Sequence, residues 1–317
     1  MAKTQAINSP TMKPVKEKGH LIRHIKKEWM MYSLLVIPIT YFIIFKYVPM
    51  FGNIIAFRKY TGGSNIFGEK WVGLKYFRQF FKDASFWRAF RNTLTLSLSY
   101  LAVRFPATLI FALLLNEIIN TKAKKFVQTV SYLPHFISMV IIAGMVKEVV
   151  SLNGPINNLI AALGIERISF IQEAKWFPTI YIISGVWQAL GWGTILYLAA
   201  MTNINTELYE AAKIDGANHL QQVIHVTIPG IMPTIITLLI LDIGGIMGSN
   251  FEKIMLLYLP STYETADVIS TYVYRMGITG GNFSFATAVG LFEGIIGLIL
   301  VLSANLISRK LTETSLW

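Results

Sequence analysis

Three ionisable side chains, Arg104, Asp242 and Glu293, lie near the middle of long apolar stretches of this sequence. If those stretches cross a membrane, each such group costs about 2.5–3.5 kcal/mol to insert, so it is expected to pair with another charge or to line a passage. Pairing would join Arg104 to Asp242 or to Glu293. Alternatively, Arg104 faces a cavity and meets an acidic group on a transported molecule. The sequence leaves both interpretations open.

Spacings that would support catalysis or metal binding are missing from the sequence. The stretch GSNIFGEKW, Gly63 to Trp71, approaches a phosphate-binding loop, but Glu69 occupies the position of the required lysine. The five histidines form no ligand motif, there is no nucleophile elbow, and there are no cysteines. We therefore predict that the chain is not an enzyme and holds no metal. Any ATP that drives it is expected to be bound by another polypeptide.

The elements that must position these charges are long apolar blocks. Of 317 residues, 54% are hydrophobic and 14% are charged, against roughly 25% charged in soluble domains. A bilayer core needs about 20 apolar residues per helix, and six blocks reach that length. They are approximately Met30–Phe57, Asn92–Asn116, Phe126–Val150, Pro178–Met201, Ile231–Tyr258 and Phe285–Ser308. The sequence thus predicts an all-α integral membrane protein with six transmembrane helices.

The remaining chain is too short for a second folded domain. We expect a basic tail at 1–29, a first transmembrane helix at 30–57 and an external connection at 58–91. A core domain at 92–308 then contains five transmembrane helices and a polar loop at 202–229, and 309–317 form a tail.

Basic residues give the chain a net charge of +11. They are scattered and accompany no nucleic-acid-binding motif, so membrane lipid is the expected partner and nucleic acid is not. The concentration of bases before the first helix favours a cytoplasmic N-terminus. With six spans, both termini and the loop at 202–229 then face the cytoplasm. Bases also occur in the connection at 58–91, which weakens this orientation argument.

One polar segment, Glu207 to Gly230, separates two apolar blocks; we call it the polar segment. Asn205 or Thr206 can cap a first helix, and Leu208, Ala211, Ala212 and Asp215 share one of its faces by their spacing. Gly216 interrupts the pattern, and helical spacing of apolar residues resumes after it. The prediction is two short helices joined by a bend, lying on the membrane surface.

The residues of the polar segment carry a family resemblance. Glu210-Ala211-Ala212, three residues, Gly216, nine residues and then Val226-Thr227-Ile228-Pro229 resemble the EAA loop of binding-protein-dependent ABC importer permeases. Further sequence stretches resemble the sugar-importing branch, and within it the oligosaccharide and lipoprotein-type importers. These stretches are LYEAAKIDGA, GWGTILYLAAM, FEKI, DVISTYVYR and YVPMFGNIIAF.

This resemblance implies a type I ABC importer permease fold in a bacterial cell membrane. It implies a second homologous permease, two cytosolic ABC ATPase subunits and an extracellular solute-binding lipoprotein as partners. The EAA helix would dock in the ATPase, with Glu210 as a charged contact, Ala211 and Ala212 packing closely, Asp215 on the same face and Gly216 forming the bend. Cofactors are not expected in this chain, because the ATPases bind the ATP.

In the sugar-importing branch the spans beside the EAA loop line most of the path. Together with Arg104, the candidate path residues are Trp187, Gln188, Trp192, Tyr197, Asp242 and Asn250. Aromatic faces and amides suit sugar rings edged by hydroxyl groups, although aromatics in spans also serve as anchors or in packing. Glycines 191, 193, 244, 245 and 248 would permit close helix approach or local unwinding.

The expected function is therefore import of a carbohydrate, an oligosaccharide, by alternating access. The bases of the connection and Arg104 favour an acidic oligosaccharide, but lipid headgroups or the binding protein would explain the same charges. The alternative is an ion-coupled secondary transporter in which Asp242, Glu293 and Arg104 bind a coupling ion or proton.

Overall fold

The computed structural model of the chain describes residues 27–63, 65, 67–248 and 250–312. Most of the predicted basic tail, and residues 313–317 of the C-terminal tail, lie outside the described residues. The chain divides into two compact units, which meet in sequence between Ile54 and Ile55.

The described residues of the first unit form one long helical stretch. Helix α1, Trp29–Phe42, continues through a π-helical turn at Ile43–Tyr47, a short α-helical turn at Val48–Met50 and a 3-10 turn that begins at Phe51. The helical stretch runs to Phe57 and is apolar enough to span a membrane. It corresponds to the first transmembrane helix predicted at 30–57.

The second unit is built mainly from helices, with one small antiparallel pair of strands, β1 Arg58–Lys59 and β2 Lys70–Trp71. The helices before the polar segment are α2 Lys75–Phe81, α3 Ala84–Asn116, α4 Thr121–Tyr132, α5 Met139–Val149, α6 Pro155–Ala162 and α7 Phe177–Met201. Those that follow are α8 Thr206–Ile214, α9 His219–Gln222, α10 Met232–Gly244, α11 Phe251–Leu257, α12 Tyr263–Ala266, α13 Ile269–Val273 and α14 Phe283–Thr312.

Four helices in the described residues are each long and apolar enough to cross a membrane, and six spans result if each of two bent helix pairs counts as one. This agrees with six predicted spans, two of which are broken. The third span bends by 101° between Phe136 and Met139, where Pro134 lies in a 3-10 turn and the Ser138 hydroxyl caps α5. The helical stretch His219–Gly230 meets α10 at a bend of 63°. Pro229 and Pro233 lie beside this bend, and proline interrupts the hydrogen bonds of a helix.

The predicted block Ile231–Tyr258 is not one helix. Helix α10 ends at Gly244, and α11 begins at Phe251 after Asn250 caps it. The second span also begins at Ala84, within the predicted connection, rather than at Asn92. Neither the glycine-rich break after α10 nor the Asp83 cap that starts α3 changes the apolar composition of these segments. Composition alone therefore cannot reveal either feature.

Two glycines on α7 allow close packing, as their sequence suggested. A Cβ atom at Gly191 would lie 2.2 Å from the backbone oxygen of Ser131, and one at Gly193 would lie 2.7 Å from Thr108. Any larger residue at Gly191 would therefore push α4 away from α7.

Helix α3 contributes to all three buried apolar clusters of the second unit. It supplies Phe86 and Ala89 to the first cluster, with α2, α13 and α14, and Leu96 to the second, with α5, α7 and α11. Its Ala112 packs with Tyr197 and Ile231 in the third cluster. Helix α3 is thus the central helix against which the other helices of the second unit pack.

A network around Asp267 attaches α12 and α13 to the start of α3. The Asp267 carboxylate is fully buried and accepts two hydrogen bonds from Arg275, at 3.1 and 2.7 Å, which raise the pKa of that guanidinium. The amide of Asn92 donates to the backbone oxygens of Glu264 and Asp267. Bidentate, charge-assisted bonds are strong, so this end of α3 is held firmly.

Candidate functional site

The polar segment folds as two short helices joined by a tight turn, as predicted. At the end of α8 the backbone N–H of Ala217 donates to Ala212 at 2.8 Å, and that of Gly216 donates to Lys213 at 3.1 Å. This pair of bonds is a Schellman motif, which requires a left-handed residue. Gly216 adopts a φ of +81°, a conformation that glycine reaches without steric cost.

Both helices are capped by side chains of the segment or of the residues just before it. The Asn205 side chain accepts from the backbone N–H of Glu207 at 3.0 Å, so Asn205, not Thr206, is the cap. Asn218 and Gln221 form a reciprocal capping box at the start of α9, and the helical path then continues to Gly230. These local bonds specify the bend independently of the rest of the protein.

The two helices are also joined across the bend. The hydroxyl groups of Tyr209 and Thr227 lie 2.9 Å apart, and the Gln222 amide donates to the backbone oxygen of Ala217 at 3.0 Å. His219 pairs with Glu117 at 2.9 Å, and Glu117 is the residue that ends α3. The segment is therefore a braced unit in contact with the central helix.

The candidate docking residues face outward from this braced unit. Glu210, Ala211, Asp215 and Gly216 are exposed, and Ala212 is half-buried. The large apolar side chains of Leu208, Ile214 and Leu220 are also exposed. These exposed apolar side chains and the polar groups around them leave this surface open to contact with another protein.

Arg104 on α3 and Asp242 on α10 form a salt bridge. The pairing interpretation is thus confirmed for Asp242. Among the described residues Glu293 forms no salt bridge. Arg104 also lies over the ring of Tyr100, at 5.6 Å from the ring centroid.

Arg104 and Asp242 also line two cavities, so the pair does not exclude a role in the path. The first, which we call the arginine cavity, has a volume of about 360 Å³ and includes Trp192 and Tyr197. The second, the connecting cavity, has about 400 Å³ and includes Tyr100, Tyr181 and Asn250. Those last three residues also line a third space of about 240 Å³, the lysine cavity, with Gln188 and Lys253.

Six of the seven candidate path residues therefore border three adjoining cavities, and Trp187 does not. Trp187 lines a different, mainly apolar cavity with Val146, Ile180 and Ile183. Since successive helical positions point about 100° apart, Trp187 and Gln188 face different sides of α7. Trp187 remains a candidate only through its position in the sequence.

Lys253 lies near the end of a predicted apolar block, where a lysine side chain can extend to the membrane interface. Instead, Lys253 is only 2% exposed, because α11 is a separate helix that directs it inward. Its ammonium donates to the backbone oxygen of Tyr181 at 3.1 Å.

Besides Phe105 of the arginine cavity, three aromatic residues of the adjoining cavities were not singled out from sequence. They are Tyr100, Tyr181 and His135, and His135 stacks on Trp192 with ring centroids 4.4 Å apart. His135 belongs to the 3-10 turn between α4 and α5, and the signal that could have revealed it is Pro134. A proline that breaks a span marks backbone that is tolerated at membrane depth only in protein or beside a cavity.

Comparison with known families places this geometry in context. The family model described as binding-protein-dependent transport system inner membrane component matches residues 104–313. The polygalacturonan/rhamnogalacturonan transport system permease protein YteP of Bacillus subtilis (strain 168) is 42% identical over 317 residues, covering 100% of this chain and 98% of that protein. Protein LplB of the same organism is 42% identical over 294 residues, covering 92% of each.

Two solved structures of ABC importers also resemble this chain. A chain of a bacterial ABC transporter involved in the import of the acidic polysaccharide alginate superposes with a TM-score of 0.85 at 43% identity, covering 92% of this chain and 99% of that chain. A second structure shows a bacterial alginate ABC transporter with its alginate pentasaccharide-bound periplasmic protein, again with a TM-score of 0.85 at 43% identity, covering 94% of this chain and 100% of that chain. The predicted fold class is confirmed.

Proposed function

This chain belongs to the family of binding-protein-dependent transport system inner membrane components, and from that membership we propose that it imports an acidic oligosaccharide. It is a permease subunit of an ABC importer and a multi-pass membrane protein. The family consists of transport proteins, which confirms the prediction that this chain is not an enzyme. Membership also implies ATPase and binding-protein partners.

The observation that carries the choice of substrate is the likeness, at 42–43% identity, to permeases named for alginate and for polygalacturonan/rhamnogalacturonan transport. Alginate and polygalacturonan are both chains of uronic acids, which carry a carboxylate on each sugar ring. The lysine cavity offers a cation beside aromatic and amide groups, and the arginine cavity offers one beside aromatic groups. Such a lining matches a sugar ring that bears a carboxylate.

The polar segment is proposed to receive the work of ATP hydrolysis. Two cytosolic ATPase subunits would bind beneath this chain and a second homologous permease, and Glu210, Ala211, Ala212, Asp215 and Gly216 would contact one of them. The bonds between the two helices would let them move together, and a displacement at α8 would reach α3 through the contact of His219 with Glu117. Alternating access of the cavities would follow. The ATP stays on the ATPases, and this chain holds no cofactor.

The proposed location is a bacterial cell membrane with both termini in the cytoplasm, and an extracellular binding lipoprotein delivers the sugar. The basic residues before α1 support this orientation. It places the polar segment on the side where the ATPases are, and the Asp267 network on the side of the binding protein.

ATP dependence tests this proposal against ion-coupled transport. Cells that express the complete importer are expected to lose uptake of a labelled oligogalacturonate when ATP is depleted, even with an ion gradient imposed across the membrane. The measurement is initial uptake rate with and without the gradient. Uptake that continues under ATP depletion would instead favour the alternative, in which Asp242, Glu293 and Arg104 bind a coupling ion.

Replacing Trp192 with alanine is expected to raise the sugar concentration needed for half-maximal uptake roughly threefold to tenfold, because an aromatic contact contributes about 0.5–1.5 kcal/mol. The measurement is the sugar concentration at half-maximal uptake. Trp187→Ala is a matched control, since the two tryptophans are 45% and 43% exposed on the same helix but line different cavities. Equal effects of both substitutions would contradict a path role for Trp192.

A further inference from the structure

Lys253 is an isolated cation inside the second unit. Its side chain is 2% exposed, and its ammonium lies 3.1 Å from the backbone oxygen of Tyr181 and 5.1 Å from the centroid of the Tyr181 ring. Within the described part of the chain, no carboxylate lies within salt-bridge distance of it. Within the described residues its ammonium donates one hydrogen bond, to Tyr181, which leaves two of its three N–H groups for another acceptor.

An ammonium without a partner carboxylate is expensive to bury. Removing a charge from water costs several kcal/mol unless a counter-charge compensates it, and neither a carbonyl nor an aromatic ring supplies a full negative charge. A methionine or leucine of similar size would fill the same space without this cost. Packing therefore does not explain why a lysine occupies the position.

The contrast with Arg104 indicates which cation is available to a ligand. The guanidinium of Arg104 already pairs with Asp242, so the net charge of that pair is near zero. Lys253 has no such partner among the residues that the structure describes, and it faces the lysine cavity together with Gln188 and Asn250. Asn250 lines the connecting cavity as well, so a molecule held at Lys253 can extend from the lysine cavity toward Arg104.

We infer that Lys253 binds a carboxylate of the transported sugar and thereby selects acidic over neutral oligosaccharides in this permease. The inference rests on the proposed function, because it assigns the recognition of an acidic substrate to one residue. The ammonium donates to the carboxylate, Gln188 and Asn250 bond hydroxyl groups of the same ring, and Tyr100 and Tyr181 form the walls. The bound carboxylate supplies the missing counter-charge.

The test compares two probes of equal chain length, an oligogalacturonate and its carboxyl-reduced, neutral counterpart. Uptake of each is measured in cells with the complete importer carrying wild-type chain, Lys253→Met or Lys253→Arg. Methionine keeps the size and removes the charge, whereas arginine keeps the charge. Lys147→Met is the matched control, because Lys147 is an exposed lysine of α5. The binding protein is the same in all strains, so its own preference cancels in the mutant-to-wild-type ratio.

Lys253→Met is expected to lower uptake of the acidic probe roughly tenfold to hundredfold, the range that loss of a charge-assisted hydrogen bond predicts. Uptake of the neutral probe should change little, Lys253→Arg should retain much of the acidic uptake, and Lys147→Met should resemble wild type. Equal loss of both probes, equal loss in the methionine and arginine variants, or unchanged acidic uptake would each overturn the inference. If wild type imports only the neutral probe, the proposed acidic substrate itself is wrong. If wild type imports the acid and Lys253→Met does too, only the role of Lys253 is wrong.

Discussion

Replacing Gly216 with tryptophan is expected to reduce uptake to background while the subunit still reaches the membrane. Gly216 has a φ of +81°, where a residue with a Cβ is strained by about 1–2 kcal/mol. No atom lies within 4 Å of a Cβ added there, so the indole would project from the bend toward the proposed ATPase surface. The measurements are uptake, membrane abundance and ATP hydrolysis by the assembled importer, in which hydrolysis should no longer drive transport.

Two control variants separate bulk at the docking surface from backbone strain. Gly164 has a φ of +77° and equally open surroundings but lies outside the polar segment, so Gly164→Trp should leave uptake near wild type. Gly216→Asn keeps the side chain small, and asparagine tolerates the left-handed conformation, so it should retain most uptake. Unchanged uptake by Gly216→Trp would contradict the assignment of the polar segment as the ATPase contact.

Neutralising either member of the Arg104–Asp242 pair alone is expected to lower both the amount of folded subunit in the membrane and uptake. Removing one partner of a buried pair costs about 3–5 kcal/mol, because the other charge is left without compensation. Both side chains retain some exposure, which makes that range an upper limit. Membrane abundance and thermal stability in detergent measure the loss for Arg104→Met and for Asp242→Asn.

The double variant Arg104→Met/Asp242→Asn tests whether the pair also serves the path. With both charges removed no charge is left unpaired, so abundance should recover toward wild type. Uptake of an acidic sugar should remain low if the two groups act at the arginine cavity. Full recovery of uptake together with abundance would show that the pair is only structural, and persistent loss of abundance would show that its energetic role has been misjudged.

The six spans follow from composition, because about 20 apolar residues per bilayer crossing is a requirement that any sequence must meet. The breaks within two of these spans do not follow from composition. Ile231–Tyr258 is long and mainly apolar, yet α10 ends at Gly244 and α11 starts at Phe251. Apolar side chains suit a continuous helix and a broken one equally, and the packing of α11 in the second buried cluster decides between them.

The polar segment was predictable almost residue by residue. Its bend depends on the cap at Asn205, on the left-handed Gly216 and on the capping box from Asn218 to Gln221, which are all interactions between residues a few positions apart. Short-range backbone bonds of this kind are nearly independent of the surrounding protein. What the sequence did not reveal is the brace from Tyr209 to Thr227 and the contact of His219 with Glu117.

The sequence by itself therefore determined the membrane class, the number of spans and the shape of the polar segment, since these depend on composition and on neighbours in the chain. It also identified Arg104, Asp242 and Glu293 as charges that require a partner or a passage. Only the tertiary structure decided that Arg104 is neutralised by Asp242 and that Lys253 is buried with no carboxylate of the described residues at salt-bridge distance. The physical reason is that pairing and burial depend on which helices pack together, and α3, α7, α10 and α11 meet only in the folded protein.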